Sequence, residues 1–310
     1  MVPGSSSRAA GSGGQLGFDD LLDDLVDDPA LPAGAAREAA RWARPLVRVT
    51  PARLATWESC PRRYRLTYVE KPAPPRGGPR AASTLGAVVH LALRALYLRR
   101  ARERTPEQAA LLVDRNWSGE GFRDSAQEAD YRGRARAWTA DYVAEHVEGR
   151  PEPLGVERWV SAPTAAIVAE GRVDRIDGAG GAAVIVDYKT GRRVPEPADA
   201  RDSSALALYA LGAARTLRRD CRRVELHHLP TGRAAAWEHD EASLAAHVEK
   251  AERGALEAAD AADALAAGGD ADALFPPRPG SRCAACDVRR HCPEGQAVGP
   301  AAAPWDDLVP

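Results

Sequence analysis

The chain has 310 residues, of which 45% are apolar and only 5% aromatic, so any core must be built mainly from Leu, Val and Ala. That length holds one large domain or two small ones. No apolar run approaches the roughly 20 residues that cross a bilayer, and no charged-then-apolar leader opens the chain. A cytoplasmic protein without a membrane partner is therefore expected. A net charge of −2 excludes a globally basic nucleic-acid binder, so any contact with DNA has to come from local patches.

The first 16 residues are rich in Gly, Ser and Ala and are expected to be disordered. Residues 18–28 place Phe18, Leu21, Leu22, Leu25 and Val26 at helical spacing among six aspartates, a short acidic amphipathic helix. The body begins near Val47. Thr50-Pro51 reads as an N-cap followed by proline at the first helical position, opening a helix that carries Leu54, Trp57 and Cys60. Residues 72–80 form a Pro/Gly-rich loop. Helices are expected over 84–103, with His90 inside, and over 106–117 and 125–147.

Near residue 155 the period changes. Residues 156–160 and 165–173 read as strands, 177–181 as a turn, and 183–187 as a buried strand because the run is continuously apolar and β-branched. A helix over 203–218, a hairpin of 224–229 with 234–238, and an Ala-rich helix over 241–267 follow. The expected organisation is an N-terminal segment 1–46, a domain 47–295 and a flexible acidic tail 296–310.

Two groups of residues carry chemistry. Asp174 and Asp187 flank a Gly-rich turn, so a hairpin can bring them side by side, and one or two carboxylates are what Mg²⁺ takes from a protein. Lys189 lies two residues beyond Asp187, on the same side of a strand. The chain has only three lysines, Lys71, Lys189 and Lys250, and arginine replaces lysine poorly where a compact ammonium is needed. His90 alone fits a core histidine more readily than a ligand. Glu157 and Glu170 are weaker candidates for a supporting carboxylate, equally readable as surface residues. Separately, Cys60 waits more than two hundred residues for Cys283, Cys286 and Cys292, leaving Cys221 as a packing or surface residue. Four thiolates can hold zinc or an iron–sulfur cluster.

Together these motifs resemble the PD-(D/E)XK nuclease superfamily, specifically its RecB-like branch with an iron–sulfur cluster, which includes the AddB nuclease domain and the CRISPR-adaptation nucleases. The resemblance runs from about Val47 to Pro293. It rests on Cys60-Pro61-Arg62-Arg63-Tyr64, Gly86-x3-His90, Gly171-x2-Asp174-Arg175-x-Asp177, Asp187-Tyr188-Lys189-Thr190-Gly191 and Cys283-x2-Cys286-x5-Cys292-Pro293. It implies an α/β fold with a restriction-endonuclease-like core: a central mixed sheet flanked by helices, with an iron–sulfur staple joining the N- and C-terminal segments. His90, Asp174, Asp187 and the backbone carbonyl of Tyr188 would hold Mg²⁺ or Mn²⁺. Lys189 would be the catalytic lysine and Tyr209 an accessory group, while Cys60, Cys283, Cys286 and Cys292 would hold a 4Fe-4S cluster in preference to zinc.

The family has Gln four residues before that tyrosine; here the position is Ala205, and Ser203 or Ser204 could compensate. The expected activity is cleavage of DNA, single-stranded or with a free end, in repair or recombination at the nucleoid. No Walker motif is present, so a helicase or repair-complex subunit would have to unwind in trans. Arg62, Arg63 and Arg192 are the expected phosphate contacts; Tyr64, Tyr68 and Trp57 either stack bases or pack near the cluster. Two other readings stay open: a non-catalytic DNA-binding subunit that keeps the fold, and a zinc-stabilised interaction module.

Overall fold

The structure, a computed structural model, describes residues 45–147 and 149–308. The acidic amphipathic helix expected over 18–28 lies outside the described residues. Among them, no helix is long and apolar enough to cross a membrane.

A short strand β1 (Val47–Val49) leads into α1 (Pro51–Ser59), where the Thr50 hydroxyl caps the Arg53 amide and Pro51 takes the first turn. Cys60 ends α1 and precedes α2 (Pro61–Tyr64), which continues as one π turn over Arg65–Val69. Three helices follow: α3 (Ala81–Tyr97), α4 (Pro106–Arg115) and α5 (Ser125–His146). The helix expected to reach residue 103 stops at Tyr97, and only a 3₁₀ turn (Ala101–Glu103) lies beyond it.

Strands β2 (Gly155–Pro163), β3 (Ile167–Ala179) and β4 (Ala182–Lys189) then form an antiparallel meander. β3 runs six residues further than the sequence pattern implies. The turn expected over 177–181 is only Gly180-Gly181, both at positive φ, the two-residue loop whose twist suits a hairpin. After α6 (Pro197–Arg201) and α7 (Ser204–Leu217) come β5 (Arg223–His228), parallel to β4, and β6 (Arg233–Glu238), antiparallel to β5. The long α8 (Glu241–Ala266), the one-turn α9 (Ala271–Leu274) and α10 (Pro293–Ala297) complete the described chain.

The result is a mixed six-stranded sheet flanked by helices. On one face Val184, Val186 and Tyr188 of β4 pack under α3, α4 and α5; on the other, Ile176, Ile185 and Val224 pack under α7. Both faces of β4 are covered, which is why its sequence is continuously apolar. Burying a side chain such as Ile185 contributes roughly 1.5–3 kcal/mol.

The sheet order positions the site. β2 covers one edge of β3 along residues 168–176. The other edge is shared: β1 pairs with residues 167–169 and β4 with 175–179. Between them, residues 170–174 have no strand partner on that edge among the described residues, and the sheet opens into a notch.

The segment expected to be a flexible tail is docked. Leu308 is buried, the Pro304 carbonyl accepts the Ala81 amide at 3.0 Å, and Asp307 pairs with Arg80 at 2.7 Å. Acidic composition suggested solvation, but Trp305 and Leu308 supply an apolar anchor and Arg80 a counter-charge.

Candidate active site

Asp174 and Asp187 stand one residue beyond the last ladder pair of the hairpin, Arg175 with Val186, where β3 and β4 part. Asp174 is therefore mid-strand rather than at a strand end, as the sequence had suggested. Glu157 lies opposite Asp174 on β2, between the pairs Val156–Arg175 and Arg158–Val173. Its φ is +48°, a left-handed conformation unusual for glutamate that costs on the order of 1–3 kcal/mol. Such strain persists where the surroundings fix it and often marks a functional position.

His90 reaches the notch from α3. Its Nδ1 lies 3.3 Å from Asp174 Oδ1 and 4.0 Å from Glu157 Oε1. Each carboxylate gives its other oxygen to the protein: Asp174 Oδ2 accepts the Tyr188 backbone N–H at 2.9 Å, and Glu157 Oε2 pairs with Arg172 Nε at 2.8 Å. Both side chains are thereby oriented with one oxygen toward the imidazole. Among the described residues, His90, Glu157 and Asp174 are the set whose ligand atoms lie within 4.8 Å of one another.

Asp187 is outside that set and turns to Lys189. The Lys189 ammonium is ion-paired with Asp187 Oδ2, which has no aligned hydrogen-bond donor. The expected pairing of Asp174 with Asp187 thus becomes a division: Asp174 with His90 and Glu157, and Asp187 with Lys189. Tyr188 contributes its N–H to Asp174 and buries its ring beside His90, 5.6 Å between centroids.

The electrostatics suit a cation. Burial pushes the Glu157 carboxyl up, the Arg172 guanidinium opposes this, and the Asp174 charge adds to it. Burial and the Asp174 charge raise Asp187, against Lys189. Burial would lower the His90 imidazole, but its bond to Asp174 and the surrounding carboxylates hold it above the usual histidine value. Two converging carboxylates and a histidine, with Asp187 nearby, form a hard, anionic donor set of the kind that divalent cations take.

Tyr209 closes the floor of the notch. Its ring lies so close to Gly171 that a Cβ there would sit 2.6 Å from Cε1. Gly171 is thus required by the close approach of α7 to the face of β3. Burial, followed by the charges of Asp187 and Asp174, pushes the Tyr209 hydroxyl up to about 12, so it stays a proton donor. Ser203 caps α7 through the Leu206 amide, and Ser204 bonds His247, so both have partners of their own beside Ala205.

Residues 48–293 match the family model described as the PD-(D/E)XK nuclease superfamily. The chain belongs to that superfamily. A solved structure similar to this nuclease-superfamily chain is that of a candidate exonuclease from Eubacterium rectale. The two share 10% identity at a TM-score of 0.48, over 84% of this chain and 93% of that one. No curated protein matches the chain.

A second constellation of this nuclease-superfamily domain joins its first and last helices. Cys60, Cys283, Cys286 and Cys292, all free thiols, line one cavity of about 350 Å³. Cys60 and Cys292 each precede a proline because each starts a helix with Pro at its first position. The Cys292 sulfur accepts the Gly295 N–H at 3.3 Å, and Cys60 accepts that of Arg278 at 3.5 Å. No three of the sulfurs lie within 4.8 Å of one another. Burial raises the Cys286 and Cys292 thiols. Cys221 is buried in the core under α7, the packing one of the two places expected for it.

The expected phosphate contacts divide. Arg62 is 5% exposed and pairs with Glu294 at 2.7 Å and Asp272 at 2.9 Å, so it staples the chain ends rather than meeting a ligand. Its place beside Cys60 in the sequence suggested a patch; the fold buries it. Arg63 pairs with Asp287 at 2.9 Å. Arg192 is exposed and donates to the Asp306 carbonyl at 3.2 Å. Tyr64 and Phe275 each pack edge-to-face on Trp57, and Tyr68 stacks obliquely on Tyr64. His291 bonds the Pro75 carbonyl, apart from the cysteine set.

Proposed function

We propose that this protein is a metal-dependent deoxyribonuclease of the RecB-like, AddB type, acting on single-stranded DNA from a free end in repair or recombination. The observation that carries the reading is the notch in the sheet. There, His90, Glu157 and Asp174 converge across from the Asp187–Lys189 pair. A bound Mg²⁺ or Mn²⁺ would neutralise the phosphoryl oxygens, lower the pKa of an attacking water and stabilise the leaving oxygen. His90, Glu157, Asp174 and Asp187 would hold it, with the Tyr188 carbonyl beside them.

The protein's own groups divide the remaining work. Lys189, paired with Asp187, would orient the attacking water. Tyr209 donates a hydrogen bond from the floor of the notch. Arg172 fixes Glu157, and the β4 backbone fixes Asp174. Arg192 and Arg63 contact the strand along its path.

The cysteine cavity supports a 4Fe-4S cluster rather than zinc. Tetrahedral zinc with Zn–S bonds of about 2.3 Å requires sulfurs within about 4 Å of one another. These sulfurs instead surround a cavity and accept backbone N–H bonds, an arrangement suited to a cluster with a structural role. The cluster would complete a nuclease domain over 47–295. The protein would act in the cytoplasm at the nucleoid, with unwinding supplied by a helicase or repair-complex subunit. Ala205 favours a second reading, a DNA-binding subunit that keeps the fold without catalysis.

The test is degradation of end-labelled single-stranded DNA by anaerobically purified protein with Mn²⁺, beside Asp187→Ala and Lys189→Ala, with iron and sulfide assayed in the same preparation. Cleavage that both substitutions abolish, with about four irons per chain, supports the reading. An intact strand at high protein concentration with full iron would favour the binding subunit.

A further inference from the structure

Trp159 is 62% exposed, an unusual position for an indole, and it lines the same cavity of about 810 Å³ as His90, Glu157 and Asp174. It stands two residues after Glu157 on β2. The two side chains line that cavity together, although the left-handed backbone at Glu157 interrupts the strand's regular alternation. Its ladder partner is Arg172, the residue paired with Glu157. Across the cavity, α3 presents exposed Leu91 and, one turn after His90, exposed Arg94.

An apolar ring flanked by two guanidinium groups is the surface that a nucleotide's own chemistry fits. The base meets the indole face while the phosphates meet the arginines. Resting on the nuclease reading above, we infer that Trp159 is the stacking platform for the base of the nucleotide adjoining the scissile phosphate, and that it confers preference for single-stranded DNA. A phosphodiester seated at the carboxylate–histidine set lies one nucleotide's reach from the ring. A duplex keeps its base faces stacked, so only an unpaired or extruded base can use the platform. Trp159 is a positioning residue: it holds substrate and does not touch the reacting atoms.

The test is strand binding with Mn²⁺ present, read by fluorescence anisotropy, for proteins that all carry Lys189→Ala so that the strand stays intact. Trp159→Ala and Trp159→Phe are compared with native Trp159 on a labelled oligothymidylate and on an abasic strand of equal length. Loss of a stacked base predicts that Trp159→Ala raises Kd on oligothymidylate roughly 5- to 150-fold. The abasic strand should bind all three proteins alike, and Trp159→Phe should keep most of the affinity. Equal binding of oligothymidylate by Trp159→Ala, or equal losses on both strands, would overturn the inference. Cleavage is read separately on native protein: if that protein cuts nothing while the Trp159 dependence of binding holds, the nuclease reading fails and the stacking platform stands. Trp159 is largely exposed, so the variants should melt with the parent protein, which a thermal scan verifies.

Discussion

Gly171→Ala tests how the notch is built. A Cβ at this position would lie 2.6 Å from Tyr209 Cε1 and 3.4 Å from Pro51 Cδ. The ring is rigid and half-buried, so it must swing rather than flex. Overpacking of this kind costs about 1–3 kcal/mol, and replacing a glycine inside a strand returns roughly 0.5–1 kcal/mol. The net destabilisation is about 0–2.5 kcal/mol, equivalent to a fall in Tm of up to roughly 10 °C for a domain of this size. The clash involves one named side chain, so a double-mutant cycle isolates it. In a Tyr209→Ala background, Gly171→Ala should cost nothing or stabilise slightly. Calorimetry on the four proteins reads both numbers. An equal penalty in the two backgrounds would refute the claim that Gly171 exists to admit Tyr209.

Two further perturbations probe the scaffold around the site. Arg175 is buried among the hydroxyls of Tyr97 at 2.7 Å, Tyr142 at 3.0 Å and Tyr188 at 3.4 Å, with Asp177 at 2.9 Å. Arg175→Met should lower stability by about 2–4 kcal/mol in urea titration, below the largest losses for a broken buried pair because Asp177 stays partly solvated; a loss under 1 kcal/mol would contradict this. Glu225 accepts from His227 at 2.8 Å and Arg223 at 2.7 Å, bonds that lower its carboxyl to about 2. A depressed folded value means the stabilisation is complete above about pH 4.5 and lost as pH falls toward 2. After allowance for partial solvent screening it amounts to about 1–2 kcal/mol, so Glu225→Gln should flatten the stability slope between pH 5 and 3. An unchanged slope would assign the acid sensitivity elsewhere.

Much of this architecture was legible locally. The Gly180-Gly181 turn and the apolar run of β4 define the hairpin, and the hairpin brings Asp174 opposite Asp187. The cap at Thr50 fixes the start of α1 at Pro51. What escaped depends on pairings distant in sequence. Glu157 was visible only as one of several acids, because its place opposite Asp174 follows from the β2–β3 register. The notch itself requires β1 to return, parallel, onto the far end of β3, which no local pattern encodes. Trp159 carries no local signal for the same reason: that it shares a cavity with Glu157 and His90 follows from the β2–β3 register and the position of α3. Arg62 misled in the opposite direction, since its partners Glu294 and Asp272 lie more than two hundred residues away.

The account stands or falls on the notch as a divalent-metal centre. Mn²⁺ binding, followed by electron paramagnetic resonance on protein with its cysteine cluster intact, measures this directly. The account predicts one site whose affinity falls at least roughly 10-fold in Glu157→Gln and in Asp174→Asn, the scale on which metal-site groups act. Mn²⁺ affinity that is the same in the wild type and both variants would contradict it.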